Sequence, residues 1–482
     1  MTNGGAAPLQ VEATVQRART AAISWRETLL PLRLEPLGRF RQTLTQTAAS
    51  LAQQVATDRQ CSEEEVFTSE IIPLADAIRY LECHAPQILK STSPLGKNPL
   101  WLGKVQSTIG RAPLGIVLVV APSNYPLFLP GTQVIQALAA GNAVLLKPAP
   151  AAESSQREFV ERLWKAGIPE DVLQLLPSTP QAAHDAIHSG VDLIIATGST
   201  ETGQSLMRTA AETCTPSLME LSGLDSVHLL PDAPLEIAAQ CLHFALSLNN
   251  GRTCIAPRRI YAYGRETQLQ FEQILSSLPL QEPGPLLEKA MVPLNSALDQ
   301  GASLIMGSIN GSSACTPLVL KDVPEDSALW QDDHFSSIAV IKQVPDENAA
   351  LQEEARCPFQ LASSIFSASR QRAEDLAHRL PASTVTINDI VVPTADPRIP
   401  FGGSGNSGFG VTRGQDGLLA LTRPKTTMYR SPSATRLHLN RPSPSASFFG
   451  HLLTFFHAPN TLRRLRSLAA ILKEPKGPDR ER

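Results

Sequence analysis

The sequence predicts an α/β protein built on parallel sheets, and three observations carry that expectation. From Gly115 onward, short apolar runs alternate with helical segments, and a second αβ series runs from about Ala233 to Val392. Short runs that are apolar throughout and separated by helices are the pattern of strands buried on both faces. The third observation is length. A chain of 482 residues exceeds what one simple core organises, so two or three domains are expected.

Taken in order, residues from about Val11 to Leu89 read as long amphipathic helices, with Pro31 and Pro36 marking a break. GIVLVVAP, beginning at Gly115, reads as a buried strand and Leu127–Ala140 as a helix. AVLLKP follows as a strand and Glu153–Ala166 as a helix. VLQLLP, a short helix, VDLIIAT and a helix after GSTETG continue the series. The apolar run leading into MELSG ends at Glu220. Ala233–Leu248 has helical apolar spacing, NNGRTCIAP (Asn249–Pro257) is a polar turn, and Arg259–Tyr263 looks like a strand. VVPTADPRIPFGG closes the second series, and after Thr422–Tyr429 the chain becomes rich in Pro, Ser and Arg. No solenoid repeat is present in the sequence.

Composition excludes several classes. A net charge of −3 gives no general reason to expect nucleic acid as a partner. The seven cysteines are widely scattered, with no CxxC or Cys/His cluster, so neither a metal site nor a disulfide framework is expected. That usage suits a reducing compartment. The stretch MTNGGAAPLQVEATVQRA lacks a signal-peptide core, and no apolar run reaches the roughly 18 residues of a spanning helix. A cytoplasmic protein is the expectation.

The chemistry points to the turn around Cys254. A cysteine on a short glycine-containing turn between a helix and a strand can be reached by a substrate. Glu220, at the end of a strand-like run, is a carboxylate that can activate water. Alone, each has a plainer reading, since cysteines are often simply buried and strand-end glutamates simply solvated. Asn124, Lys147, Gly198 and Glu220 all fall at or just past strand ends, where parallel sheets bind ligands. One motif misleads. Gly403, Gly405 and Gly408 satisfy GxGxxG, but they follow Pro400-Phe401 near the end of the αβ region, not a first strand that opens into a helix. These glycines are read as serving tight packing.

Six motifs in order resemble the aldehyde dehydrogenase superfamily over about residues 100–429: APSNYP, ALAAGNAVLLKP, ATGSTETG, MELSG, NNGRTCIAP and IPFGGSGNSGFG. Asn-Tyr-Pro and the lead-in IGRAPLGIVLVV look most like the class 3 or fatty-aldehyde branch. The resemblance implies two doubly wound parallel-sheet domains plus a small oligomerisation element. It implies a cofactor-binding domain at 1–222, a catalytic domain at 223–405, a return segment and oligomerisation arm at 406–432, and a tail at 433–482. It implies oxidation of an aldehyde, long-chain or otherwise apolar, to an acid with NAD or NADP, in a homodimer. Cys254 would attack the aldehyde, Asn124 and the Cys254 N–H would hold the oxyanion, and Glu220 would activate the hydrolytic water. Lys147 would bind the adenosine ribose, and Gly198 and Ser199 would open the helix that receives the pyrophosphate. Asp333 and Phe335 would stand in the motif that holds the nicotinamide ribose.

Four positions depart from the family pattern. Ser123 replaces a tryptophan, Pro150 a glutamate that would bind ribose hydroxyls, Ser222 a glycine, and Asp333 a glutamate. Pro150 leaves NADP use open, and Asp333 is one methylene short for its expected contact. Two rival readings stand: a CoA-acylating or reductive relative, against which Glu220 argues, and a non-catalytic binding protein. The tail segment Ser445–Leu472 combines two Phe-Phe pairs with Arg463, Arg464 and Arg466 and is interrupted by Pro459. It reads as a peripheral membrane contact, or as a segment packed on its own protein or a partner subunit.

Overall fold

The computed structural model describes residues 6–473, apart from positions 100, 101, 103, 283, 312, 435, 437, 438 and 440–444. The outer ends of the 1–222 and 433–482 spans lie outside the described residues. Two compact units are present, one made of residues 1–90 and 111–423, the other of residues 91–110 and 424–482.

The larger unit opens with helices α1 (Ala6–Glu27) and α2 (Leu30–Arg59), then α3 (Glu63–Val66) and α4 (Ile72–Ile88). Pro31 stands in the first turn of α2, where its missing N–H is not needed. Pro36, expected at a break, instead lies inside α2. Between α3 and α4 the helix widens to a π turn, Phe67–Ile71. After β1 (Gln106–Pro113), the series runs β2 (Ile116–Val120), α5 (Phe128–Ala140), β3 (Ala143–Lys147), α6 (Glu153–Lys165) and β4 (Leu173–Leu175). It continues with α7 (Pro180–His188), β5 (Leu193–Thr197), α8 (Thr200–Thr213) and β6 (Ser217–Glu220). Every residue of β2 and β3 is buried, which is why they read as continuous apolar runs. Helix α8 begins inside GSTETG and not after it, because the Ser199 hydroxyl caps it by accepting from the Thr202 N–H.

The later part of this unit holds β7 (Asp225–Leu229), α9 (Leu235–Ser247), β8 (Pro257–Tyr263), α10 (Arg265–Ser276), β9 (Gly284–Pro285) and α11 (Glu288–Asp299). Next come β10 (Ser303–Asn310), β11 (Ser313–Lys321), β12 (Ile338–Val344), α12 (Glu347–Arg356), β13 (Phe359–Gln360), β14 (Ala362–Phe366) and α13 (Arg370–Ala377). It closes with β15 (Thr384–Ile387), β16 (Ser404–Gly405), β17 (Gly408–Phe409) and α14 (Gly414–Ala420).

The first sheet has strand order β17-β6-β5-β2-β3-β4. The chain leaves β2 toward β3 and β4, then returns to the other side for β5 and β6. The order therefore reverses between β2 and β5, and such a switch point opens a crevice at the carboxyl ends of the strands. The second sheet has order β10-β11-β12-β8-β7-β14-β15, parallel from β11 to β15. Its β10–β11 pair is antiparallel, a departure from wholly parallel sheets at one edge. The smaller unit holds most of β1 and of its partner β18 (Thr422–Tyr429), with helices α15 (Ala446–His457) and α16 (Thr461–Lys473). No described helix is long and apolar enough to cross a membrane.

Candidate active site

The carboxyl edge of the first sheet sets out the site. Lys147 ends β3 beside Val120 of β2, Val120 pairs with Ala196 of β5, and Thr197 of β5 pairs with Glu220 of β6. Lys147 and Glu220 are thus three strand spacings apart, roughly 14 Å at about 4.8 Å per strand. Between them Gly198 and Ser199 lead into α8.

A cleft of about 530 Å³ opens along this edge, lined by Asn124, Lys147, Gly198, Ser199 and Glu220 from the first sheet series. Cys254, Asp333 and Phe335 line it from the later part of the chain. All eight residues singled out in the sequence therefore meet in one cavity. Ser123 and Pro150 line it too.

Cys254 is partly accessible, on a turn of unusual backbone. Asn249, Asn250 and Gly251 have consecutive φ values of +50°, +52° and +71°. The turn is held from several sides. Asn124 Nδ2 donates to the Arg252 carbonyl at 3.0 Å, and Asn249 Nδ2 donates to the Asn124 carbonyl at 2.9 Å. Tyr125 and Thr253 share a hydroxyl–hydroxyl hydrogen bond of 2.6 Å. The Arg59 guanidinium lies 4.7 Å from the Tyr125 ring centroid and pairs with Glu70 at 3.0 Å. Glu70, on the π turn, accepts the Leu127 and Phe128 N–H groups at the start of α5, at 2.7 and 2.9 Å. Glu65 accepts from the Asn249 N–H at 3.2 Å. The amino-terminal helices thereby reach the turn.

One amide hydrogen of Asn124 is used on Arg252, and the second has no partner among the described residues. Glu220 is buried and accepts from Gln133 Nε2 at 3.1 Å, Thr197 Oγ1 at 3.2 Å and the Thr412 hydroxyl. Gly408 stands opposite Glu220 in β17, and a Cβ there would lie 2.0 Å from the Met219 carbonyl oxygen. The glycine motif is thus an edge pressed against the Glu220 strand.

The thiol of Cys254 is pushed up to about 12, first by burial and then by the nearby carboxylates of Asp225 and Glu220. Arg413 opposes this. Its guanidinium lies 4.3 Å from the Phe401 ring centroid and 5.5 Å from that of Phe128, and it donates to the Thr394 carbonyl at 2.6 Å. Neither Thr412 nor Arg413 stands out in the sequence. Both follow the glycine motif, and only the antiparallel return of the chain brings them to Glu220.

The donors in the cleft suit an elongated anionic cofactor. The Lys147 ammonium has no hydrogen-bond or ion-pair partner among the described residues although the residue is buried, and burial pulls it below the ordinary lysine value. The start of the 14-residue helix α8 lines the cleft, and its first N–H groups have no partner within the helix. At the other end Asp333 is buried, and its Oδ1 accepts the Phe335 N–H at 2.9 Å. That bond supports Phe335 at a φ of +51° and leaves the second carboxylate oxygen for a ligand.

The sequence profile of the aldehyde dehydrogenase family matches residues 2–427. The chain is 27% identical over 434 residues to 4,4'-diapolycopene aldehyde oxidase from Methylomonas sp, covering 86% of this chain and 81% of that protein. It is 26% identical to aldehyde dehydrogenase family 3 member A2 of Rattus norvegicus, over 84% of this chain and 85% of that protein. Among solved structures, NADP-dependent glyceraldehyde-3-phosphate dehydrogenase from Bacillus halodurans C-125, complexed with NADP, superposes with a TM-score of 0.79. It is 25% identical, over 88% of this chain and 91% of that one.

Proposed function

Because the chain belongs to the aldehyde dehydrogenase family, we propose that it oxidises an apolar aldehyde to the carboxylic acid with Cys254 as the nucleophile. The observation that carries this reading is the convergence of Cys254, Glu220 and Asn124 on the cleft that also holds Lys147, Ser199 and Asp333. Cys254 packs against Ile255, Leu361 and Phe401, walls that suit an apolar substrate.

Burial keeps the resting thiol neutral, so Cys254 loses its proton to water as its sulfur attacks the aldehyde carbon. The free Asn124 amide hydrogen and the Cys254 N–H stabilise the oxyanion, each donor contributing about 3 kcal/mol to the transition state. The tetrahedral adduct collapses to a thioester as hydride leaves the carbon. NAD or NADP, when bound, supplies the acceptor for that hydride. Lys147, Gly198 and Ser199 would hold it from a cofactor-binding domain at 1–222. Asp333 and Phe335 would hold it from a catalytic domain at 223–405, which also carries Cys254. Glu220 then takes a proton from water as hydroxide adds to the thioester, and returns that proton to the departing sulfur, so that the acid leaves with the Cys254 thiol restored. Gln133, Thr197 and Thr412 hold the Glu220 carboxylate for that step.

Glu220→Gln tests the assignment. It should give a burst of about one NAD(P)H per site and then stall, while Cys254→Ala gives no burst. Full turnover in either variant, or turnover that requires added CoA, would overturn the reading.

Two surfaces extend the proposal. Strand β18, in the return segment 406–432, is open to solvent, with Met428 and Tyr429 strongly exposed. A second copy of the chain is the partner assigned to it. Helix α15 buries none of its four phenylalanines, and residues 445–473 carry Arg463, Arg464, Arg466 and Lys473 with no Asp or Glu. That charge matches an anionic membrane surface. All seven cysteines are free thiols, in keeping with the cytoplasmic side of such a membrane.

A further inference from the structure

Arg258, the second residue of β8, is fully buried. Its neighbour Arg259 is buried too, and is neutralised by Glu354 at 2.9 Å. Arg258 has no such counter-ion. Asp333 and Asp225 are near enough to favour its charge, but neither forms an ion pair with it among the described residues. A buried cation satisfied only by carbonyls is expensive and calls for a reason.

The reason lies in which carbonyls it holds. Nη1 donates to the Ser336 carbonyl, and Nη2 donates to the Gly251 carbonyl at 2.6 Å, with the Thr253 carbonyl at 3.5 Å. Gly251 and Thr253 belong to the turn that carries Cys254. Ser336 directly follows Phe335 in the segment that presents Asp333 to the cleft. The two segments also touch backbone to backbone. A Cβ on Gly251 would lie 2.3 Å from the Ser337 nitrogen and 2.5 Å from its Cα. A guanidinium is a rigid planar fork, so its two arms hold both segments in one fixed relation. A point charge on a flexible stem would not.

We propose that Arg258 is a positioning residue that couples the cofactor seat to the nucleophile, so that a cofactor bound at Asp333 and Phe335 alters the reactivity of Cys254. The inference rests on the roles assigned above to Cys254 and to the Asp333–Phe335 segment. It adds a connection between them that neither role requires.

The test uses the full-length protein and its Arg258→Met and Arg258→Lys variants, with folding checked by circular dichroism. Iodoacetamide labelling of Cys254 is followed by peptide mass spectrometry, with and without saturating NAD+ and, separately, NADP+. In the unaltered protein the better-binding cofactor should change the labelling rate about fivefold or more, the lower end of ordinary site-to-site coupling. In Arg258→Met the response should fall to within about twofold, while the KM for the cofactor rises and kcat drops. A residue that merely fills space would lower stability and leave the cofactor response whole. A folded Arg258→Met variant with the full response overturns the proposal, as does an unaltered protein whose Cys254 ignores both cofactors. If Arg258→Met does not fold, Arg258→Lys decides, because it keeps the charge and loses the fork; a full response there overturns the proposal. A protein that oxidises no aldehyde, yet shows cofactor-dependent labelling that needs Arg258, would keep this inference and remove the proposed reaction.

Discussion

Alkylation of Cys254 across a range of pH tests the electrostatics of the cleft. In the cofactor-free protein the thiol moves from an ordinary 9.0 to about 12, with burial the largest cause and Asp225 and Glu220 next. Each unit is a factor of ten in thiolate, so below pH 9 Cys254 should carry roughly a thousandfold less thiolate than an unperturbed cysteine. The thiolate is the species that alkylates. The labelling rate at Cys254 should therefore rise about tenfold per pH unit from about pH 7 to about pH 10, without a plateau. Cys83 and Cys214 are exposed and will also react, so the readout must be the Cys254 peptide itself. Two substitutions should act in opposite directions. Glu220→Gln removes a negative neighbour and should speed labelling at about pH 8, and Arg413→Met removes the opposing cation and should slow it. A plateau below about pH 9, or both variants shifting the rate the same way, would refute the electrostatic account. The shift also has a sign for stability. The folded state holds this proton more tightly than the unfolded chain, so the associated stability is complete below about pH 9 and is lost as pH rises toward about 12.

Other outcomes follow from the same structure. Arg59→Leu strands the fully buried Glu70 carboxylate and should cost about 3–5 kcal/mol, visible as a lower melting temperature. Arg59→Leu should also lower kcat, since Arg59 stacks on Tyr125, which holds Thr253. Pro150 lines the cleft without a carboxylate to repel a 2′-phosphate, so NADP should be accepted and Pro150→Glu should shift preference toward NAD; strict NAD use unchanged by that substitution would count against it. The tail should bind vesicles containing phosphatidylserine at low salt and release them at high salt, and Phe449→Ser with Leu453→Ser should abolish flotation. Equal binding to uncharged vesicles would instead mean that the arginines play no part.

Much of this protein is legible along the chain because its strands are short and buried on both faces. Burial makes β2 and β3 continuous apolar runs, and a strand that ends at a sheet edge announces the residues just beyond it. Asn124, Lys147, Gly198 and Glu220 stand out in that way, and Cys254 by its turn. The eight residues expected at the site do line one cleft. Local sequence also specifies the break at Pro31 and the cap at Ser199, because caps and prolines act on neighbours a few residues away. What it leaves open is set by contacts between residues far apart in sequence. Thr412 reaches Glu220 across 192 positions, Tyr125 reaches Thr253 across 128, and Arg258 reaches Ser336 across 78. None of these partners has a local signature, since a threonine or an arginine looks the same whether it is solvated or clamped in a cleft. The same holds for the charge state of Cys254, which depends on burial and on Asp225, Glu220 and Arg413 gathered from separate parts of the chain. Residue type and spacing determined which groups exist and which edge they occupy; folding decided which of them touch, because hydrogen bonds and Coulomb forces act through space and not along the sequence.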